Sequence, residues 1–489
     1  MKKILLVYPA RLFASEWGID VWNLKPSLVN LFSYLVREKG LAVDVLDLEI
    51  ELGNPGTKEG FDRFKSNVSH ILKQKNFDII AISCYLSTNY LSAKFAAHIC
   101  KEINPQCTIV VGGHHASAMP FDFLYENSPF DFIVTGEGEI ALLDICNGKF
   151  KKKMRPQIIR GAPLDFKKPV PLKLKEFRYS SYEVVHTVGF ELSRGCAYNC
   201  SYCPESILGY KCRKYPVKYS IKRIEEAKKA VEPLRIGFMD SCFGLDKVWR
   251  RALLNEIIKR KMDNIFWAMP RIELLEKDDI DLFAKLNFFL YISLESGSEK
   301  ILDIMQRAKD PRAYLKKCKA VIEYINYKKI PNNLFLILNY PGEDLDTFES
   351  TIRYLESLLM QTRQVSTKLI LAPFQAYPGT PAYKKLGYYK ARYGTFVRNE
   401  EWWKSDAGDQ YILATDVIAS EKLRGINPFL YWKRDLYKLK DILKNKLSKE
   451  RISLDFVLDR LIYKDDRKRS FAFNLNMYLP DFVFRRQPS

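Results

Sequence analysis

The stretch Gly189–Ser206, GFELSRGCAYNCSYCPES, decides how this chain is read. It starts as an apolar, strand-like run. It then turns into three cysteines, Cys196, Cys200 and Cys203, spaced C-x3-C-x2-C and closed by Pro204. Thiols this close together in a cytosolic chain are more often metal ligands than disulfide partners. Structural zinc takes four ligands, and the next thiol, Cys212, lies nine residues after Cys203. Iron–sulfur clusters are held by thiolates and reach strongly negative potentials. A four-iron cluster on three protein ligands keeps one iron open, free to bind a molecule that carries an amine and a carboxylate. The residues leave three readings: such a cluster, a four-thiolate zinc site, or a disulfide with a spare thiol. The order of spacings and the place of the trio at a strand end favour the cluster.

Downstream, apolar runs at 235–240, 265–270, 288–296, 333–343 and 367–374 alternate with helical patterns. With 189–193 they make six β/α repeats, which predicts a partial barrel, and sites in barrels lie at the C-terminal ends of the strands. Asp240, Arg271, Glu295 and Pro341-Gly342-Glu343 fall at those ends. Upstream, the runs 3–9, 42–48, 77–85, 108–113 and 131–139 also alternate with helical patterns. They predict a parallel sheet with helices on both faces, where ligands bind beyond the strand C-termini. Those ends carry Ser83-Cys84-Tyr85, Gly112-Gly113-His114-His115 and Gly136-Glu137-Gly138. No G-x-G-x-x-G opens a helix after the first strand, which disfavours a standard dinucleotide site. Residues 151–187 are rich in Lys and Pro and read as an extended connection. Residues 383–489 lose the β/α pattern and read as a small, mainly helical region. It includes a basic helical stretch at 417–462 and an irregular tail after about 465. Trp402 and Trp403 are expected to help close the barrel and shape its pocket.

Composition is that of a globular protein, with 47% apolar and 28% charged residues. The start, MKKILLVYPARLF, reads as a first strand and not as a signal peptide, because Pro9 interrupts a short apolar run. No run reaches the roughly 18 apolar residues of a membrane span, so a cytoplasmic location is expected. The net charge of +20 arises from 78 basic and 58 acidic residues. It is read mainly as solvated faces, and no nucleic-acid partner is expected.

At this point the sequence resembles the radical S-adenosylmethionine superfamily, in its cobalamin-binding branch that includes the class B methyltransferases. Cys196, Cys200 and Cys203 match the cluster ligands, and Tyr202 the aromatic residue before the third cysteine. GFMDSCFGLD (237–246), PRIELL (270–275), YISLESGSEKILDIMQRAKD (291–310), NYPGED (339–344) and AYPGTPAY (376–383) match further signatures in the right order. The resemblance covers about residues 1–382. It implies a Rossmann-like cobalamin-binding domain over 1–150, a connection over 151–187, a partial (β/α)6 radical S-adenosylmethionine barrel over 188–382, and a C-terminal closure region over 383–489. It implies a [4Fe-4S] cluster, S-adenosylmethionine and cobalamin as cofactors. It places Tyr202, Asp240, Arg271, Ser293 and Glu295 around S-adenosylmethionine, with Asp240 near its amino end. It places Ser83, Tyr85, Gly112, Gly113, His114, Gly136, Glu137 and Gly138 around cobalamin. The D-x-H-x-x-G signature of a cobalt-ligating histidine is missing, so a cobalt without a histidine ligand is expected. The implied activity is radical methyl transfer to an unactivated carbon. The alternative on the same cofactors is a rearrangement, cyclisation or ring contraction. The implied partners are a small-molecule or lipid-like substrate and an external electron donor of the flavodoxin or ferredoxin type.

Overall fold

The computed structural model describes residues 1–10, 25–53, 58–168, 170–177, 187–231, 235–359, 367–405 and 417–426, with isolated residues up to 441. Two six-stranded parallel sheets carry the molecule. The first contains β1 (Lys2–Tyr8), β2 (Leu41–Asp47), β3 (Ile79–Ser83), β4 (Thr108–Gly112), β5 (Phe132–Thr135) and β6 (Gln157–Arg160), in the order β2-β1-β3-β4-β5-β6. Its helices are α1 (Pro26–Leu35), α2 (Leu48–Leu52), α3 (Lys58–Lys73), α4 (Tyr90–Ile103), α5 (His114–Ala118) and α6 (Gly138–Cys146). The strands read as unbroken apolar runs because both sheet faces are covered: every residue of β3 is buried. Pro26 sits at the start of α1, where its missing N–H costs nothing.

β6 lies inside the Lys- and Pro-rich stretch read as an extended connection. Gln157–Arg160 pairs in register with Phe132–Thr135. The β-branched pair Ile158-Ile159 outweighs the polar composition around it. Beyond it, Leu172, Leu174 and Phe177 are buried in a core that also holds Leu28 and Phe32 of α1 and Phe190 and Phe238 of the second sheet.

The second sheet orders β7 (Thr187–Phe190), β10 (Arg235–Phe243), β11 (Ile265–Pro270), β12 (Phe288–Glu295), β13 (Asn332–Leu338) and β14 (Thr367–Pro373) consecutively. Helices alternate with these strands: α8 (Val217–Val231), α9 (Lys247–Lys259), α10 (Lys277–Ala284), α11 (Glu299–Ile304), α12 (Pro311–Tyr327) and α13 (Leu345–Leu359). Between β7 and β10 the chain makes an excursion. There α7 (Glu205–Leu208) follows the cysteines, and two-residue strands β8 (Ser193–Arg194) and β9 (Arg213–Lys214) pair antiparallel at its neck. Val188, Phe190, Ile236, Phe238 and Phe266 belong to the main core. On the alternate positions, Trp267, Phe289 and Tyr291 form a separate aromatic cluster with Met239 and Phe335. The indole of Trp267 lies over Gly237, where a Cβ would stand 2.3 Å from it.

The C-terminal region contains α14 (Pro381–Lys384), α15 (Leu386–Tyr393) and the antiparallel pair β15 (Phe396–Val397) and β16 (Val417–Ile418). The expected helical stretch at 417–462 opens as β16, and most of it lies outside the described residues, as does the tail. The expectation for Trp402 and Trp403 is corrected. Both rings pack into the core of the first sheet, with Phe123, Phe130 and Ile133. Trp403 Nε1 donates to Asp122 Oδ2 at 2.7 Å and Trp402 Nε1 to the Ala376 carbonyl at 3.1 Å. Each buried indole N–H thus has a polar acceptor, that of Trp403 in the first half of the chain and that of Trp402 just beyond β14 of the barrel. Among the described residues no helix is long and apolar enough to cross a membrane.

Candidate functional site

The cysteine excursion begins with a carboxylate. Asp240, in the C-terminal half of β10, is fully buried and accepts hydrogen bonds from Leu192 N at 2.6 Å, Ser193 N at 3.0 Å and Ser193 Oγ at 2.8 Å. Burial pushes its pKa up to about 7 against the opposing pull of these bonds. Asp240, expected near the amino end of S-adenosylmethionine, clamps the neck of the loop through these three bonds. Its oxygens are committed to β8. Gly195 then turns the chain at φ +90, where a Cβ would meet the carbonyls of Tyr210 and Lys211 at 2.7 Å.

Cys200 is buried, and Cys196 and Cys203 are partly exposed. Burial raises the Cys196 thiol and pushes the Cys203 thiol up to about 12. Among the described residues no three His, Cys, Asp or Glu side chains stand close enough to share one ion. A cluster needs no such convergence, because each thiolate takes a different iron. The loop is tied to the barrel top through Ser201. Its N–H and Oγ reach the Met305 carbonyl at 2.9 and 2.8 Å, and its Oγ meets Tyr340 Oη at 2.7 Å. Arg271, just after β11, donates Nη1 to Cys200 Sγ at 3.3 Å and lies 3.5 Å over the Tyr198 ring. A guanidinium there offsets negative charge that collects on the sulfur.

The remaining residues expected near S-adenosylmethionine also gather here. Tyr202 Oη donates to Glu295 Oε1 at 2.9 Å. Glu295 is buried with φ +72, and burial raises its pKa. The Ser293 carbonyl accepts from Arg307 Nη2 at 2.9 Å. Arg307, not anticipated, is buried, pairs with Glu273 at 3.1 Å and lies against the Tyr314 ring. Glu273 also pairs with Arg271 at 2.5 Å, so one carboxylate ties the two arginines together.

A cavity of about 320 Å³ opens between the two sheets. All eight residues expected at cobalamin line it: Ser83, Tyr85, Gly112, Gly113, His114, Gly136, Glu137 and Gly138. Its opposite wall is Gly189, Glu191, Arg194, Glu205, Met239, Ser241 and Trp267. Gly113 has φ +109, and a Cβ there would sit 2.6 Å from the Cys84 carbonyl. Mostly apolar walls with a few convergent hydroxyls and backbone groups suit a large ligand rimmed by amides. Glu137 lines the cavity but is engaged by protein groups. It accepts from the Leu164 N–H at 2.8 Å and pairs with Arg194 at 3.1 Å and with Arg213. Burial would raise its pKa, but the Arg213 hydrogen bond and the Arg194 charge outweigh that and hold it below the ordinary value.

Sequence reading missed the residues that join the halves. Arg194, one residue before Gly195, also pairs with Glu139 at 3.0 Å and Glu191 at 2.7 Å. Glu205, two residues after Cys203, takes His114 Nε2 at 3.2 Å and Ser241 Oγ at 2.7 Å. The cysteine loop is thus bonded directly to a strand end of the first sheet. The one available signal was charge: Arg194 and Glu205 bracket an otherwise uncharged loop.

Comparison with known proteins agrees with this layout. The B12 binding domain matches residues 25–145 and the Radical SAM superfamily matches residues 190–355. The chain is 25% identical over 401 residues to an uncharacterised methyltransferase of Pyrococcus horikoshii, covering 77% of this chain and 82% of that one. The cobalamin-dependent S-adenosylmethionine radical enzyme OxsB with aqua-cobalamin bound superposes with a TM-score of 0.65 at 16% identity, over 90% of this chain and 67% of OxsB. The radical S-adenosylmethionine methyltransferase TsrM of Kitasatospora setae, with cobalamin and a [4Fe-4S] cluster bound, gives 0.59 at 16% identity, over 90% of this chain and 91% of TsrM. The two domain matches, in this order and on this fold, make the chain a cobalamin-dependent radical S-adenosylmethionine enzyme, with cobalamin, S-adenosylmethionine and a [4Fe-4S] cluster as its cofactors.

Proposed function

We propose that the protein is a methyltransferase acting on an unactivated carbon of a small or lipid-like molecule. The observation that carries this reading is the cavity with two walls. The strand ends of the first sheet form one wall, and the rim of the cysteine loop and the barrel interior form the other. The methyltransferase of Pyrococcus horikoshii, similar along most of its length, supports it. When bound, the cofactors supply reductive cleavage of S-adenosylmethionine to a hydrogen-abstracting radical and a methyl group carried on cobalt.

The chain's own residues divide the remaining work. Cys196, Cys200 and Cys203 hold three irons, and Arg271 fixes Cys200 and balances its charge. Tyr202 and Glu295 form a polar pair that would meet S-adenosylmethionine. Ser293 sits two residues before Glu295 on β12, its carbonyl fixed by Arg307. Ser83, Tyr85, the glycine end of β4, the Gly136–Gly138 turn and His114 line the cavity and would hold cobalamin there. Trp267, Phe289 and Tyr291 exclude water from the barrel interior. No acid–base pair is assigned, and electrons come from an external low-potential donor.

The test is anaerobic turnover of reconstituted protein with methyl-labelled S-adenosylmethionine and candidate substrates. Methylation adds one labelled methylene unit to the product mass. Turnover that consumes substrate and leaves no label in any product refutes methyl transfer and points to a rearrangement on the same cofactors.

A further inference from the structure

The end of the first sheet remote from the cavity carries a feature that the proposed reaction does not use. Between Asp144 and Asp165 the chain has no acidic residue and six cations: Lys149, Lys151, Lys152, Lys153, Arg155 and Arg160. Five of them fall in KFKKKMR, the loop that leads into β6. Two of these are engaged. Lys149 pairs with Asp144 at 2.6 Å, and Lys152 donates to the Gln106 and Cys107 carbonyls at 2.7 and 2.8 Å. Lys151, Lys153 and Arg155 are exposed, and no ion pair involves them among the described residues. Between these cations Met154 is 105% exposed and Phe150 is 36% exposed. Phe150 rests one edge on Phe132, with centroids 6.3 Å apart, and borders a recess of about 330 Å³ that also includes Lys2, Asp78 and Lys152.

A cationic loop with an apolar side chain at its tip is well matched to one environment. The boundary of an anionic bilayer takes the charges at the phosphate level and the apolar groups just beneath. We propose that the 149–155 loop docks the protein on anionic lipid, with Lys151, Lys153 and Arg155 on headgroup phosphates and Met154 inserted. The placement leaves the chemistry free. The loop is at the N-terminal ends of the strands, and the cavity opens at their C-terminal ends, on the order of 15 Å away along a five-residue strand. The same separation argues against a docking site for an electron carrier, which must approach the cysteine loop at the other end.

The experiment uses the reconstituted full chain with vesicles of phosphatidylcholine alone or mixed with phosphatidylglycerol. Sedimentation with the mixed vesicles only, weakening as salt rises, is expected. Removing two cations in Lys151→Ala/Lys153→Ala lowers the vesicle affinity roughly 30-fold. Met154→Trp shows a blue-shifted emission on the mixed vesicles, which reports insertion of the tip. All three positions are exposed, so folding and cleavage of S-adenosylmethionine stay at the parent level. Equal binding of the parent and the double variant overturns the proposal, as does vesicle binding without an emission shift or no binding at all. It is also overturned if bulk tRNA displaces the protein from vesicles and the double variant loses tRNA binding, since the patch is then a nucleic-acid site.

Discussion

Replacing Asp240 separates its role as a clamp from a role in binding. Asp240→Ala removes the acceptor for three donors at the neck of the cysteine loop. Each buried donor left unpaired costs about 1–3 kcal/mol. Ser193 Oγ can turn elsewhere, so the two remaining N–H donors make the loss about 2–6 kcal/mol. Asp240→Asn keeps an acceptor for both backbone N–H groups, and its amide can donate to Ser193 Oγ. Its stability stays within about 1 kcal/mol of the parent at acid pH, where Asp240 is protonated, and exceeds the parent's as pH rises to about 7. The pH dependence has a definite sign. The folded pKa of about 7 lies above the ordinary value of 3.8, so the folded state binds the extra proton. The associated stability is fully present below about pH 4 and is lost as pH rises to about 7. At most it amounts to roughly 4 kcal/mol, from about 1.4 kcal/mol per unit. Asparagine removes this slope. Urea denaturation of the three proteins between pH 5 and 8 measures both effects, and equilibrium dialysis measures S-adenosylmethionine affinity. The clamp argument fails if Asp240→Asn is as unstable as Asp240→Ala, or if the asparagine variant keeps its stability and loses most of its affinity for S-adenosylmethionine.

Three further outcomes are expected. Single Cys→Ala changes at 196, 200 or 203 abolish cleavage of S-adenosylmethionine and lower bound iron while leaving cobalamin binding largely intact; iron assay and visible absorbance of the two cofactors report this, and joint loss contradicts the division of work. Gly113→Ala destabilises by at least about 2 kcal/mol and releases cobalamin, since φ +109 and a carbonyl 2.6 Å from the new Cβ both oppose it; spectroscopic titration with cobalamin checks it. Trp403→Ala costs about 3–5 kcal/mol of stability and exposes 396–405 to protease, with little change in cobalamin affinity; limited proteolysis and thermal denaturation decide it.

What the sequence made legible was local. C-x3-C-x2-C, the glycines at 112–113 and 136–138, and the apolar runs of the strands each carry their meaning within a few residues, and the structure puts them at one pair of strand-end rims. The residues it hid act at a distance. Arg194 reaches Glu139 across 55 positions, and His114 reaches Glu205 across 91. No periodicity encodes such pairs. Asp240 sat at a legible strand end, but its partners, 47 and 48 residues upstream, decided what it does there. β6 was hidden by its surroundings, because Lys and Pro on both sides masked two isoleucines that complete a sheet. Trp402 and Trp403 were legible as aromatic anchors but not for the surface they anchor to.

The core shared by Phe32, Phe177, Phe190 and Phe238 has a consequence for modularity. Phe32 of α1 and Phe177 of the connection meet edge to face, with centroids 5.1 Å apart. The helix that covers the first sheet therefore also covers the back of the barrel. Neither half can expose this face without opening the other, so the chain melts as one cooperative unit where the two domain matches suggest separable modules. An exchange of either half with a relative would have to carry α1 and residues 172–177 along with it. The spacing of the two halves around the cavity is thus set by this hydrophobic packing as well as by the polar contacts of Arg194 and Glu205.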